Sequence, residues 1–279
     1  TIGLGASGNM DIADGELGRM TAEGGVTLGN DSSGSIVVDG VTDGNSDTVG
    51  TVTLLATNAA AKVTFQTAAS TFSKDIVAQA AKGIDVNAVA ITTSNSGTMH
   101  LDGDSNNGAN APGDTIGITD GLTLTAGALM TLEATTSGIV PAGKLTLKAK
   151  SGVYIKDNMT GAANGKALVI NADSDANGSG TLTVLSGKTV TSSKSDVTIT
   201  AFDLDLDGSL TAGTLAITIH GAQASQTIGL GAVTSTNMDI ADGELGRMTA
   251  EGGVVLGSTI SGSIAVDGVT DANSDTAAT

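Results

Sequence analysis

The feature that most constrains this chain is that it repeats itself. MDIADGELGRMTAEGGVTLG begins at Met10 and returns at Met238 as MDIADGELGRMTAEGGVVLG, 228 positions later. From Met10 to Thr48, 33 of 39 positions are identical, and three of the six changes fall at Asn30–Ser32 against Ser258–Ile260. TIGLG at Thr1–Gly5 also recurs, at Thr227–Gly231, with an offset of 226. The two-residue difference is absorbed between these blocks, where ASGN becomes AVTSTN. A period this long and this faithful is the signature of tandem modules. Residues 1–226 read as one full unit and residues 227–279 as the start of the next, repeating residues 1–51. On this reading the sequence is a segment of a longer array, and each unit's first partners are the neighbouring repeats, end to end.

A second, looser period runs inside the unit. Short alternating runs, bounded by Gly, Asn, Asp and Ser, include Thr51–Leu55, Lys62–Thr67, Leu122–Ala126, Leu145–Ala149, Thr181–Leu185 and Asp203–Leu206. Alternation over four to six residues between turn formers predicts strands. One stretch, Thr71–Lys82, also reads as an alternative helix, because Phe72, Ile76 and Ala80 would share a helical face. Aromatics make up only 1% of residues although 39% are hydrophobic, so any core must be built from Val, Ile, Leu and Ala. That hydrophobic content argues against disorder. Collagen is excluded, since proline occurs only at Pro112 and Pro141.

Many short strands fit a sandwich or a solenoid. Tight connections and small aliphatic inward residues favour the solenoid. Groups of three strands occupy roughly 20–24 residues, the size of one triangular coil. Leu182, Val190 and Val197 would form one coil, and Leu204, Leu210 and Leu215 the next. The expected fold is therefore all-β, a right-handed parallel β-helix. At the strand spacing of about 4.8 Å, a unit of about ten coils would rise about 48 Å. An open solenoid end exposes a row of unpaired backbone groups, so lateral or end-to-end self-assembly is expected.

Acidic residues outnumber basic ones 29 to 12, for a net charge of −17. That balance argues against nucleic acid and anionic membrane surfaces as partners. No apolar run approaches the roughly 18–20 residues of a membrane span, so no membrane insertion is expected. With no cysteine there are no disulfides, thiolate metal sites or thiol nucleophiles.

TIGLG, a polar gap, then ELGRMTAEGGVTLG and GSIVVDGVT resemble the repeats of filamentous-haemagglutinin-like, very large extracellular proteins. Asn164–Val190 and the following SDVTITAFDLDLDGSLTAGTLAITI are similar to the same arrays. The resemblance implies a right-handed parallel β-helix, an extracellular or cell-surface location, and long thin fibres, often adhesive. It carries architecture rather than chemistry.

Candidate chemistry is sparse. Asp173, Asp175 and Asn177 match D-x-D-x-N-G, the opening of a calcium loop in which alternate oxygen ligands converge on one hard cation. Position 12 would be Val184 where the full motif has Glu, and Asp, Asn and Gly are also ordinary turn residues. Asp102-Gly-Asp104-Ser-Asn106 is a weaker echo, and Asp43-x-Asn45-x-Asp47 recurs as Asp271-x-Asn273-x-Asp275. Asn30, Asn158 and Asn177 open glycosylation sequons. The T-x-T pairs at Thr51, Thr123, Thr181, Thr189 and Thr198 are irregularly spaced, which predicts no ordered threonine array. His100 and His220 lack Ser or Asp constellations, and GLGASG at Gly3–Gly8 lacks the strand-to-helix context of a phosphate loop. The expectation is a non-enzymatic structural module forming the shaft of an extracellular filament. The alternative is an adhesin whose exposed loops, Ser105–Asp114 and Asp157–Lys166, bind a host or neighbouring cell.

Overall fold

Alternation over three to five residues places every second side chain on one strand face, and that face can be covered only by another layer. This chain covers it by winding. The structure, a computed structural model, describes residues 1–109, 113–234 and 236–276. Every strand pairing within it is parallel, in two compact units, 1–142 and 143–279.

In the first unit, successive strands fall on three faces in turn. One face stacks Ile2–Leu4, Ile36–Val38, Val63–Phe65, Ile84–Val86, Ile116–Ile118 and Ile139–Pro141. A second stacks Val26–Gly29, Val52–Ala56, Ile76–Ala80, Met99–Asp102 and Met130–Glu133. The third holds Ser70–Phe72, Ala90–Thr93 and Leu122–Ala126. The second unit repeats the plan. Its faces are Met159–Thr160, Thr189–Thr191, Ser209–Gly213 and Met248–Ala250; Leu145–Ala149, Leu168–Asn171, Val197–Ala201, Ile217–Gly221 and Val254–Leu256; and Val153–Ile155, Thr181–Val184 and Asp203–Leu206. A separate three-stranded sheet joins Met238–Ala241, Ile228–Gly231 and Ile264–Asp267. This is the parallel β-solenoid architecture expected from the strand pattern.

The core consists of columns of like side chains stacked from coil to coil. Ile36, Val63, Ile84, Ile116 and Ile139 lie in register and are fully buried. Leu147, Ile170, Ile199 and Ile219 form an equivalent column in the second unit. Each fully buried aliphatic side chain contributes roughly 1.5–3 kcal/mol. A one-coil-wide interior is filled mostly this way, with Phe65 and Phe72 adding two fully buried rings.

Coil length differs from the expectation of 20–24 residues. Val190 to Leu210 is 20 positions and Val63 to Ile84 is 21, but Ile84 to Ile116 is 32 and Leu210 to Met248 is 38. The ladder needs only matched strands, so corners lengthen without disturbing the stack. The second predicted coil also shifts: its third inward residue is Ile217, fully buried in Ile217–Gly221, whereas Leu215 is half-exposed in the preceding turn. The helical alternative for Thr71–Lys82 is replaced by strands Ser70–Phe72 and Ile76–Ala80. Positions 72, 76 and 80 satisfy a four-residue spacing and a two-residue spacing alike; Ser70 and Ala78, also buried, belong only to the strand pattern.

Ile2–Leu4 and Met10–Ile12 are parallel neighbours although only five residues join them. Gly5, at φ +68°, makes this return, and a Cβ there would collide with the Asp39 carbonyl oxygen. GLGASG is thus a tight strand-to-strand link, and the two-residue insertion in the second copy lengthens the same link between Ile228–Gly231 and Met238–Ala241.

Candidate functional site

The acidic loops tie backbone together. Asp173 is buried, and its two carboxylate oxygens accept the Asn177 and Gly178 N–H groups, each at 3.1 Å. Asp175 accepts the Asn177 side-chain amide at 3.0 Å. The three residues do lie together, but Asp173 is aimed at amides that also repel a cation. Desolvation raises the Asp173 carboxyl above its ordinary value, against the pull of those two amides. Asp104 has the same role: it accepts Gly108 N–H at 3.2 Å and Thr136 N–H at 2.8 Å, while Asp102 accepts Asp104 N–H at 3.1 Å. Among the described residues, no group of three His, Cys, Asp or Glu side chains is arranged to hold a metal ion.

The histidines sit on outward strand faces. His100 Nε2 lies 3.6 Å from Glu133 Oε2, and His220 Nε2 lies 3.2 Å from Thr200 Oγ1. Neither adjoins an activated nucleophile. Asp102 faces Glu133 and Gln79 in register. Burial, chiefly, raises its carboxyl, and the Glu133 charge adds to the effect.

The two loops Ser105–Asp114 and Asp157–Lys166 combine exposed residues with buried anchors. Asp157 is buried and ion-paired with Lys188, and Met159 is a core residue, while Asn158, Thr160 and most of the residues that follow in Asp157–Lys166 are exposed. In Ser105–Asp114, Asp114 is fully buried, and residues 110–112 lie outside the described residues. The sequon residues Asn30, Asn158 and Asn177 are exposed.

Register also produces an order that sequence spacing conceals. Thr160, Thr191, Thr211 and Thr249 align in one outward column. Unequal coils make the threonine spacing irregular along the chain while leaving the strands aligned, and such Thr–Thr neighbours stabilise a sheet.

The most completely built polar cluster was not anticipated. Asp14 opens the short helix Asp14–Leu17 and accepts Thr42 N–H at 2.9 Å, Thr42 Oγ1–H at 2.7 Å and Asn45 Nδ2–H at 2.6 Å. The second copy reproduces it: Asp242 accepts from Thr270 at 2.9 Å twice and from Asn273 at 2.7 Å. The Thr270 amide, first, and Asn273 hold the Asp242 carboxyl below its ordinary value. Sequence spacing gives no sign of this contact, because Asp14 and Asn45 lie 31 positions apart and the local pattern around Asn45, D-x-N-x-D, matches a metal loop. Asn45 is turned to Asp14, and Asp43–Ser46 is a helical turn.

Where the second copy meets the preceding coil, it clamps one residue. Glu244 Oε1 accepts Leu206 N–H at 2.8 Å and Arg247 Nε donates to Leu206 O at 2.6 Å. Desolvation raises the Glu244 carboxyl, partly offset by the Leu206 and Ala241 amides. Asp203 nearby is raised by burial as well.

These shifts predict an acid-side stability maximum. Asp102, Asp173, Asp203 and Glu244 bind protons more tightly folded than unfolded. Stability should therefore rise as pH is lowered from 7 through their raised folded values, a gain complete below the ordinary carboxylate range. Asp242 acts oppositely: its contribution is lost as pH falls below that range. Melting temperatures should climb as pH falls from 7 to the lower end of the ordinary carboxylate range, about pH 4, and decline only below it, where the Asp242 contribution is lost. A maximum at pH 7 would contradict the assignment of these carboxyl groups.

In comparisons with known proteins, no family model, no curated protein and no solved structure matches this chain.

Proposed function

We propose that the chain is a non-enzymatic structural module of a tandemly repeated β-solenoid, forming the shaft of a long extracellular filament of the filamentous-haemagglutinin-like kind. The observation that carries this reading is the junction in the second unit. There the start of a second repeat, Met248–Ala250 and Val254–Leu256, extends sheets laid down by Ser209–Gly213 and Ile217–Gly221 through parallel pairing, in register at Ile217–Ile219 and with one bulge between Thr211 and Gly213. One repeat can thus follow another without a linker, and load along the axis is shared among parallel hydrogen-bond ladders and aliphatic columns. The winding would be right-handed, as parallel crossovers are. Use of the carboxylates to secure backbone amides leaves the surface acidic without assembling a reactive centre. The adhesive alternative places binding in the exposed turns, and near-identity between repeats weighs against it.

The coil lengths sharpen the test. Ile2 reaches Ile139 in five register steps, 137 positions in all. Coils of about 27 residues give about eight per 228-residue period and an axial period of about 40 Å, shorter than the 48 Å expected from the sequence. Electron microscopy and fibre diffraction of native material should show thin fibres with a layer spacing near 4.8 Å and that axial period. Isolated globular particles would refute the shaft reading.

A further inference from the structure

We propose that the edge formed by Met10–Ile12, Ala22 and Val26–Gly29 is a docking seat for a second copy of the unit, and that its occupant is that copy's Asp203–Gly221 coil. This deepens the tandem-repeat reading above and rests on it. The reason is that one sequence is observed in two environments. In the second copy, Met238 is fully buried, Glu244 and Arg247 clamp the two backbone groups of Leu206, and Asp239 N–H donates to the Asp203 carboxylate at 3.2 Å. Met248 and Val254 stand in register with Leu210 and Ile217.

In the first copy the same residues are open. Met10, the counterpart of Met238, is 49% exposed. Glu16 and Arg19, the counterparts of Glu244 and Arg247, lie 3.7 Å apart with side chains 49% and 72% exposed. They present an acceptor and a donor with the chemistry that grips Leu206. A free strand edge offers an N–H and a C=O from one residue on the same side, and the Asp203–Gly221 coil places them beside apolar residues in register with Met248 and Val254, the counterparts of Met20 and Val26. The opposite edge gives the converse comparison. Ile264 and Val266 are 45% and 62% exposed, whereas their counterparts Ile36 and Val38 are fully buried beneath Val63 and Phe65. The first copy therefore covers the edge that the second leaves open, and the second is seated on the coil that the first lacks.

Within one chain, Asp203–Gly221 is already taken by the second copy. The first copy of another chain can reach it only by replacing that segment, and identity at 33 of 39 positions makes the two interchangeable. The test uses residues 1–279 as one chain. Met248→Asp with Val254→Asp should unseat the second copy and convert a monomer into head-to-tail oligomers, read by light scattering. Adding Met20→Asp and Val26→Asp to the first copy should return it to monomer. Thr218 pairs with Val255, the counterpart of Thr27, and the chain has no cysteine. Thr27→Cys with Thr218→Cys should therefore give disulfide-linked chains on mild oxidation in the unseated background. Oligomers that survive the first-copy substitutions, or folded protein by circular dichroism with no 27–218 cross-link, would overturn the seat. If the aspartate variant fails to fold, the cysteine pair in the otherwise wild-type chain, refolded at high concentration, decides instead: linked chains support the seat and monomers alone overturn it. Absent cross-links beside native fibres of the expected period would reject the seat and leave the shaft reading intact; cross-links without fibres would do the reverse.

Discussion

Replacing Phe65 with alanine is expected to destabilise the first unit by about 3–5 kcal/mol, measured as a lower midpoint in a denaturant titration. Phe65 is fully buried between Val38 and Val86, its register neighbours in the coils on either side. Its carbonyl also accepts the Asn87 and Ala88 N–H groups at 2.8 and 3.1 Å, so the backbone here is fixed from above. Neighbouring coils are held at the strand spacing by their ladders, and the cavity left by the ring cannot close by collapse of one layer onto the next. That places the substitution at the costly end of core truncations. Phe65→Leu retains much of the volume and should cost less than about 1.5 kcal/mol. A loss below 1 kcal/mol for alanine would mean that the column is not packed as described.

Gln226→Met should destabilise the second unit by about 3 kcal/mol, because each buried polar group left without a partner costs about 1–3 kcal/mol. Gln226 is 2% exposed, immediately before the second TIGLG. Its Nε2 donates to the carbonyls of Ala201 at 3.1 Å and Phe202 at 2.7 Å, and its Oε1 accepts Gln223 N–H at 3.1 Å. Methionine matches the length and removes all three bonds. Ala201 O keeps a second donor, Ala222 N–H at 3.2 Å, so the loss falls mainly on Phe202 O and Gln223 N. Gln226→Glu separates packing from hydrogen bonding: a carboxylate against two carbonyl oxygens should be worse at pH 7 than at pH 4, where its protonated form regains a donor. Equal stability of the methionine variant and wild type would show that the amide is not the tie between these turns.

The architecture was legible because alternation is local. Leu122–Ala126 and Leu145–Ala149 are strands with the bounds their alternation predicts, and Leu182, Val190 and Val197 do share a coil. Strands of three residues such as Ile84–Val86, and the two-residue Met159–Thr160, are too short to show a period by themselves. They are strands because neighbouring coils supply ladder partners. Coil length was misjudged for a related reason: corners face water and can grow, so an average over the tightest coils underestimates the rest. The acidic loops were legible as turns but not in their purpose. The sequence places Asp173, Asp175 and Asn177 together, whereas only the backbone path reveals that Asp173 meets two amides. The Asp14–Thr42–Asn45 cluster spans 31 positions along the chain, so no local motif could announce it.

The Glu244–Arg247 clamp grips only the main chain of Leu206, and in the tandem array proposed above its strand neighbours would add pairings that repeat with every period. A gene encoding such modules can gain or lose one whole 228-residue period by unequal recombination, and each junction in the product is chemically the same as the one it replaces. On the proposed shaft reading, filament length would be a heritable quantity that varies in discrete steps, with no requirement to evolve a new interface at any step. Near-identity between copies is what keeps that route open, because it supplies the homology for recombination and the interchangeable surface for folding.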